Sequence, residues 1–126
     1  MTVVLDASAV LALLYDESGK DLVIAHAQGA LVLSVNLSEV LTRVIDKGGD
    51  AERVRKLLQR LELTIVPFDE DLAVLAAKLR TATKSIGASL GDRACLALAT
   101  SRRVPVFTAD RDWARLDLGI DIRLIR

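Results

Sequence analysis

Short apolar runs alternate with amphipathic segments along the whole chain. Five runs predict strands, and four of the five contain no charged residue: Val3 to Leu5, Ala30 to Leu33, Leu63 to Val66, Pro105 to Thr108 and, with two charges, Ile120 to Ile125. A short continuous apolar run is typical of a strand that is buried on both faces of a parallel sheet.

Between these strands the apolar positions recur at helical spacing, as in Leu37, Val40, Leu41 and Val44. The predicted helices are Ala9 to Leu14, Asp21 to Ala27, Leu37 to Val44, Ala51 to Leu61, Asp69 to Lys84 and Asp92 to Arg102. Ser8 is the predicted cap of the first of these helices and Ser34 of the third. A loop is predicted from Ser85 to Gly91, and a turn with a short helix within Asp110 to Leu116. The segment from Asp92 is apolar nearly all round, which predicts a helix buried in the middle of the fold. Strands that alternate with helices predict βαβ units and a parallel sheet.

Asp6 comes directly after the first predicted strand and directly before the first predicted helix. This places its carboxylate at the carboxyl end of a central strand. Ligands of open α/β sheets bind at that edge. The other acidic residues of interest are therefore those that reach the same edge.

Composition narrows the class of protein. The chain has 126 residues, 52% of them hydrophobic, so a single domain over residues 1–126 is expected. Lys and Arg together number 17, as do Asp and Glu, so the formal net charge is zero. Any polyanionic partner must therefore be met by a local patch of positive charge rather than by the whole surface.

The chain has one histidine and one cysteine, and this small number argues against disulfide, zinc and serine-hydrolase sites. Cys95 is the one cysteine and has no partner for an internal disulfide, which fits a reducing compartment such as the cytoplasm or simply a small residue of the core. One histidine and one cysteine do not make a zinc site of nitrogen and sulfur ligands. A serine hydrolase would need His26, which reads instead as the end of a helix. There is no signal peptide pattern and no apolar stretch of membrane-spanning length, so no membrane partner is expected.

Four acidic residues stand out by position, namely Asp6, Glu39, Asp92 and Asp110, with Asp112 as a fifth. Each also has a plainer interpretation. Asp6 and Asp92 suit helix caps, Asp110 suits a turn, and Glu39 suits a solvated pair with Arg43 one helical turn later.

Taken together, these carboxylates predict a metal site. Carboxylates gathered in one cleft repel one another unless a cation sits among them. Hard oxygen ligands favour Mg²⁺, with Mn²⁺ as a substitute. A carboxylate-held Mg²⁺ is suited to displacement at phosphorus with water as the nucleophile.

Four motifs resemble those of the PIN-domain nucleases, and more narrowly the VapC-type toxins of bacterial toxin–antitoxin pairs. They are VVLDASA at residues 3–9, SEV at 38–40, GDRACLALA at 91–99 and FTADRDW at 107–113. Each motif is short, but the four occur in the family's order and span nearly the whole chain.

The resemblance implies a three-layer α/β/α sandwich with a five-stranded, mainly parallel sheet. It implies an Mg²⁺-dependent endoribonuclease, a homodimer and a VapB-type antitoxin that blocks the site. It implies that Asp6, Glu39, Asp92 and Asp110 bind the metal. Ser8 and Thr108 support these acids in the family, although a helix cap and a strand-end hydroxyl explain them equally well, and Asp112 is auxiliary.

Several cations near the motifs are candidates for contact with RNA. The cations near the motifs are Arg43, Lys47, Lys84, Arg93 and Arg111, and the pattern does not choose among them. The apolar segments Ala9 to Leu14 and Leu37 to Ile45 are expected to form the antitoxin groove or the dimer contact.

Three other functions compete with the toxin interpretation. A housekeeping PIN-domain nuclease for RNA maturation would carry the same residues. A non-catalytic binding module would not need all four acids. A phospho-acceptor receiver or an Asp-nucleophile phosphatase would need a second acid next to Asp6, and the chain has none there.

Overall fold

A five-stranded parallel sheet forms the middle layer of the computed structural model, which describes residues 1–126. Its strands are β1 Val4–Leu5, β2 Leu31–Leu33, β3 Thr64–Val66, β4 Val106–Thr108 and β5 Ile122–Leu124, in the order β3-β2-β1-β4-β5. Every neighbouring pair is parallel, with Val4 opposite Leu31 on one side and Leu5 opposite Phe107 on the other. The predicted parallel sheet is confirmed.

Seven helices flank the sheet, and two short 3₁₀ turns lie between elements at Lys84–Ile86 and Arg111–Arg115. The helices are α1 Ala7–Leu14, α2 Lys20–His26, α3 Ser34–Asp46, α4 Ala51–Arg60, α5 Glu70–Lys78, α6 Arg80–Thr83 and α7 Leu90–Arg102. None of them is long and apolar enough to cross a membrane.

Alternating side chains of the strands build two cores, one on each face of the sheet. Val3, Leu5 and Phe107 pack with α1 to α4, whereas Val4 and Val106 pack with α5 and α7. This division follows from the two-residue period of a strand, which turns successive side chains to opposite faces. The predicted three-layer sandwich is therefore confirmed.

Helix α7 has more buried residues than any other helix, as its sequence predicted. All six residues from Ala94 to Ala99 are buried. Four of these six are alanine or cysteine, and such small side chains let neighbouring elements approach the helix closely. The first turn of α7, with Asp92, is thereby held firmly against the sheet.

The order of strands creates a reversal point between β1 and β4. The chain builds outward from β1 to β3 on one side and then returns to add β4 and β5 on the other. Loops after the two adjacent strands diverge there and leave a crevice at the carboxyl edge. Asp6 follows β1 and Asp110 lies two residues after β4, so both flank this crevice.

Several predicted boundaries were wrong. Helix α1 begins at Ala7 with Asp6 as its cap, because the Asp6 carboxylate accepts a bond from the Ala9 amide and Ser8 is already helical. Ser34 does not cap α3, since its hydroxyl accepts from the Phe68 amide at 3.0 Å.

The predicted helix from Asp69 to Lys84 is divided at Leu79 into α5 and α6. The predicted loop from Ser85 ends earlier than expected, because Ser89 caps α7 and the helix begins at Leu90. The last strand is also shorter, at Ile122–Leu124.

The segment Ala9 to Leu14 leaves little apolar surface for the antitoxin groove or the dimer contact, because four of its six residues are buried in the protein's own core. Of the second predicted segment, only Ile45 is a large exposed apolar side chain, at 59%.

Candidate active site

A cleft at the carboxyl edge of the sheet brings the four predicted acids together. It has a volume of about 330 Å³ and is lined by Asp6, Ala7, Ser8, Leu11, Asn36, Glu39, Arg43, Asp92 and Asp110. These residues come from α1, α3, α7 and the segments that follow β1 and β4. Four separate parts of the chain therefore each contribute one carboxylate to the same cleft.

Asp6 is the buried member of this set, with 6% of its surface exposed. Its Oδ1 accepts bonds from the Ser8 hydroxyl at 2.6 Å and the Ala9 amide at 2.8 Å, and its Oδ2 accepts one from the Thr108 hydroxyl at 2.5 Å. Burial and, to a smaller extent, the charge of Asp92 raise the pKa of Asp6 to about 6, although these three hydrogen bonds act in the opposite direction.

Two hydroxyls connect Asp6 to the segment that follows β4. The Ser8 Oγ accepts from the Ala109 amide at 2.8 Å, and the Thr108 Oγ1 accepts from the Asp110 amide at 3.0 Å. Each hydroxyl thus accepts from the β4 loop while donating to Asp6. This network holds the position of Asp110 relative to Asp6 across the reversal point of the sheet.

Asp92 lies in the first turn of α7 and also serves as a cap. Its Oδ2 accepts from the Ser89 amide at 3.1 Å, while the Ser89 hydroxyl accepts from the Asp92 amide at 3.1 Å. This reciprocal pair satisfies two helix-terminal amides. The capping interpretation and the cleft interpretation therefore hold together, because the second carboxylate oxygen makes no hydrogen bond within the protein.

Glu39 is an exposed residue of α3 that reaches across to α7. Its Oε1 accepts from the Asn36 side-chain amide at 2.8 Å. A Cβ built on Gly91 would lie only 2.6 Å from that oxygen, so the carboxylate lies directly over the Gly91 backbone. Glu39 makes no ion pair with Arg43, contrary to the plainer interpretation of its sequence spacing.

The auxiliary residue Asp112 lies outside the cleft. Its amide donates to Asp110 Oδ1 at 3.0 Å, and its carboxylate is 3.5 Å from the Arg115 guanidinium. Asp110 therefore keeps the turn conformation that its sequence predicted while it lines the cleft.

Of the predicted RNA-contacting cations, only Arg43 lines the cleft. Arg93 turns away from it, and its Nη1 donates to the Ala76 carbonyl of α5 at 3.0 Å. Arg111, Lys47 and Lys84 are exposed elsewhere. Arg93 contributes to packing between α5 and α7 rather than to the cleft.

Asn36 is a cleft residue that the sequence did not bring to attention. It is 1% exposed and lies on the same row of α3 as Val40 and Val44, four and eight residues later. A polar residue on an otherwise apolar row was the available signal.

The remaining chemistry-bearing side chains lie outside the cleft. His26 ends α2 as predicted and packs edge-on against Phe107, with ring centroids 5.0 Å apart. Cys95 is fully buried, and its pKa is raised well above the usual range by burial and by the charges of Asp6, Asp92 and Glu39. It therefore remains a neutral thiol and is not a nucleophile.

The donor set of the cleft suits Mg²⁺ or Mn²⁺, because its ligating atoms are carboxylate oxygens with hydroxyl and amide support. In the present side-chain positions, no three acidic, histidine or cysteine residues converge closely enough to hold an ion. Three of the carboxylates are oriented by hydrogen bonds from neighbouring groups, Asp6 by two hydroxyls, Glu39 by Asn36 and Asp92 by the Ser89 amide. Mg²⁺ keeps several of its waters in proteins, so ligation partly through water fits this donor set.

Comparison with known proteins gives consistent matches over nearly the whole length of the chain. The family model of the PIN domain matches residues 3–118. Ribonuclease VapC5 of Mycobacterium tuberculosis is 31% identical over 129 aligned residues, which cover 98% of this chain and 93% of that protein.

Solved structures agree on the fold. A chain of a toxin–antitoxin complex from Klebsiella pneumoniae superimposes with a TM-score of 0.80 at 20% identity, over 98% of each chain. VapBC-5 of Mycobacterium tuberculosis, a member of the VapBC family of toxin–antitoxin systems, gives a TM-score of 0.56 at 27% identity, over 99% of this chain and 98% of that one.

Proposed function

The chain belongs to the PIN-domain family, in its VapC-type branch, and from this premise we propose that it is a metal-dependent endoribonuclease, the toxin of a VapBC-type toxin–antitoxin pair. One observation carries the proposal: four carboxylates from four parts of the chain line one cleft at the reversal point of the sheet. Like charges brought together in this way lower stability unless a cation neutralises them.

The metal would be held by Asp6, Asp92 and Asp110, directly or through water, with Glu39 completing the site. When bound, Mg²⁺ supplies an activated water and stabilises the negative charge of the reacting phosphate. Ser8 and Thr108 hold both oxygens of Asp6 in place, so that this carboxylate is oriented before a metal arrives. No side chain of the cleft is needed as a nucleophile.

Arg43 is proposed to bind the RNA backbone. A cleft with four carboxylates repels phosphates, and Arg43 is the one basic side chain that lines it. It makes no ion pair, so its guanidinium is available for a charge-assisted bond to a phosphate oxygen. The cytoplasm, where the RNA is, would be the place of action.

A VapB-type antitoxin and a second copy of the chain are the proposed protein partners. Large apolar side chains remain exposed on helix surfaces: Ile24 at 48%, Ile45 at 59%, Val74 at 48% and Leu90 at 54%. Such side chains are suited to protein contacts when they fall within a continuous patch. Co-expression with the protein encoded by the adjacent gene, followed by light scattering of the purified species, tests both partners.

The test of the proposed function is cleavage of total bacterial RNA by the purified chain, with mapping of new 5′ ends. Discrete ends are expected with Mg²⁺ and none with chelator. Asp92→Asn is expected to abolish cleavage at an unchanged fold, because the amide oxygen of the substituted side chain can still accept the cap bond from the Ser89 amide. Unchanged cleavage by Asp92→Asn at equal metal concentration would overturn the assignment.

A further inference from the structure

Asn36 is a buried amide whose two hydrogen bonds both lead to the cleft. Its Nδ2 donates to Glu39 Oε1 at 2.8 Å and to the Gly91 carbonyl at 3.1 Å. Its Oδ1 is buried without a partner. A buried side-chain amide is unfavourable unless its hydrogen bonds are made. Asn36 uses both N–H groups of its Nδ2 while its Oδ1 has no partner, which indicates that the two donated bonds determine the orientation of the side chain.

Glu39 depends on these contacts for its position. The residue is exposed, and its only hydrogen bond within the protein comes from Asn36. A free glutamate side chain on a helix surface samples several rotamers, and ordering it on metal binding lowers affinity. A carboxylate already held over the cleft avoids most of that loss.

Gly91 provides the other half of the arrangement. A side chain there would meet the Glu39 carboxylate, with a Cβ only 2.7 Å from its Cδ. Gly91 lies within α7 immediately before Asp92 and has no positive φ, so backbone conformation does not require glycine at this position. The close approach of Glu39 is what requires it.

We propose that Asn36 is a positioning residue, which with the bare backbone of Gly91 holds Glu39 in the orientation that serves the metal. The inference deepens the proposed function and rests on it. Asn36 also joins α3 to the first turn of α7 through the Gly91 carbonyl, and so keeps Glu39 and Asp92 in fixed relation.

Mn²⁺ binding, measured from the free-ion signal in electron paramagnetic resonance, provides a readout that does not depend on RNA. Asn36→Leu keeps a buried side chain of similar size and removes the donors. Gly91→Ala leaves Asn36 intact and displaces Glu39, and alanine favours helix formation. Each variant is expected to weaken Mn²⁺ binding about tenfold, as loss of a group that orients a metal ligand commonly does.

The matched control is Thr83→Val. Thr83 is another buried polar residue at 1% exposure, its hydroxyl donates to the Leu79 carbonyl, and it does not line the cleft. Its loss is expected to leave Mn²⁺ affinity unchanged.

A double-mutant cycle separates positioning from simple packing. In a Glu39→Gln background, Asn36→Leu is expected to cause no further loss of Mn²⁺ affinity, because it acts through Glu39. An equal loss in both backgrounds, or an unchanged affinity in Asn36→Leu and Gly91→Ala, would overturn the inference. Should Asn36→Leu not fold, Gly91→Ala in the two backgrounds gives the same test.

RNA cleavage on the same samples distinguishes this inference from the proposed function. A wild-type chain that binds Mn²⁺ but cleaves no RNA overturns the ribonuclease and leaves the role of Asn36 standing. If Asn36→Leu both binds Mn²⁺ and cleaves RNA as well as the wild-type chain does, the positioning role alone is overturned. A wild-type chain that binds no Mn²⁺ overturns both.

Discussion

At the scale of single residues, Asp6 combines structural and functional demands that conflict. It caps α1 and receives two hydroxyl bonds, yet burial raises its pKa to about 6 from an ordinary value of 3.8. A raised pKa means that the folded protein binds a proton that the unfolded chain has already released. In the metal-free protein, the free energy of unfolding is therefore lower when Asp6 is ionised, as a metal requires, than when it is protonated.

This conflict predicts a pH dependence of stability in chelator. The folded state is stabilised by binding a proton at Asp6, and this stabilisation is fully present below about pH 4. It is lost as the pH rises through 6, which lowers the free energy of unfolding by about 3 kcal/mol. Asp6→Asn has no such slope. We expect its stability relative to wild type to increase between about pH 4.5 and about pH 7.5, as measured by urea unfolding. A difference that does not change with pH would contradict the assignment of the raised pKa to Asp6.

Arg43 gives a second prediction at this scale. Arg43→Gln should weaken RNA binding by a similar factor for all RNA sequences. It should also make the binding constant less dependent on salt concentration, by about the amount that one phosphate contact contributes. It should not weaken Mn²⁺ binding, because it removes a positive charge from the cleft. Fluorescence anisotropy of a labelled RNA, in an Asp92→Asn background that does not cleave, measures the effect. Arg60→Gln, at an exposed arginine on α4, is the matched control.

At the scale of elements, α7 connects the buried core with the cleft. Its middle is fully buried and its first turn carries Asp92 in a reciprocal cap with Ser89. The helix therefore fixes the position of the Asp92 carboxylate relative to the sheet. The cap makes this first turn regular, so the Asp92 carboxylate does not depend on a mobile loop.

Loss of this cap should affect stability measurably. Ser89→Ala removes the bond that the Ser89 hydroxyl accepts from the Asp92 amide, and it is expected to lower the free energy of unfolding by about 1 kcal/mol. Ser85→Ala, at an exposed serine with no side-chain hydrogen bond, should have no effect within error. Chemical denaturation of both variants makes the comparison, and equal stability of the two would show that the cap contributes nothing.

At the scale of the whole molecule, the fold supplies a cleft whose charges oppose one another until a cation binds. Divalent metal should therefore stabilise the folded chain. At a metal concentration about ten times the dissociation constant, mass action adds about 1.4 kcal/mol to the free energy of unfolding. Thermal unfolding with Mn²⁺ and with chelator measures this shift, and Asp92→Asn should reduce it. An equal rise in Tm for both proteins would mean that the ion binds elsewhere.

The pattern of apolar and polar positions determined the class of fold, because burial on both faces removes polar residues from the strands of a parallel sheet. The same pattern placed Asp6 and Asp110 at strand ends. It could not decide the boundaries of α1 and α3, where Ser8 and Ser34 are ordinary caps by residue type. Their hydroxyls are used for contacts with Ala109 and Phe68, which lie 101 and 34 positions away in the chain.

Only the tertiary structure decided which polar residues share the cleft. It brought Arg43 to the acids and turned Arg93 to the Ala76 carbonyl, although both are arginines near a motif. It also brought Asn36 to Gly91, 55 positions later in the chain, and placed the Glu39 carboxylate where a side chain at Gly91 would clash with it. Local sequence determines burial and helical period through side-chain chemistry, whereas long-range contacts depend on how the strands are ordered, and no local pattern specifies that order.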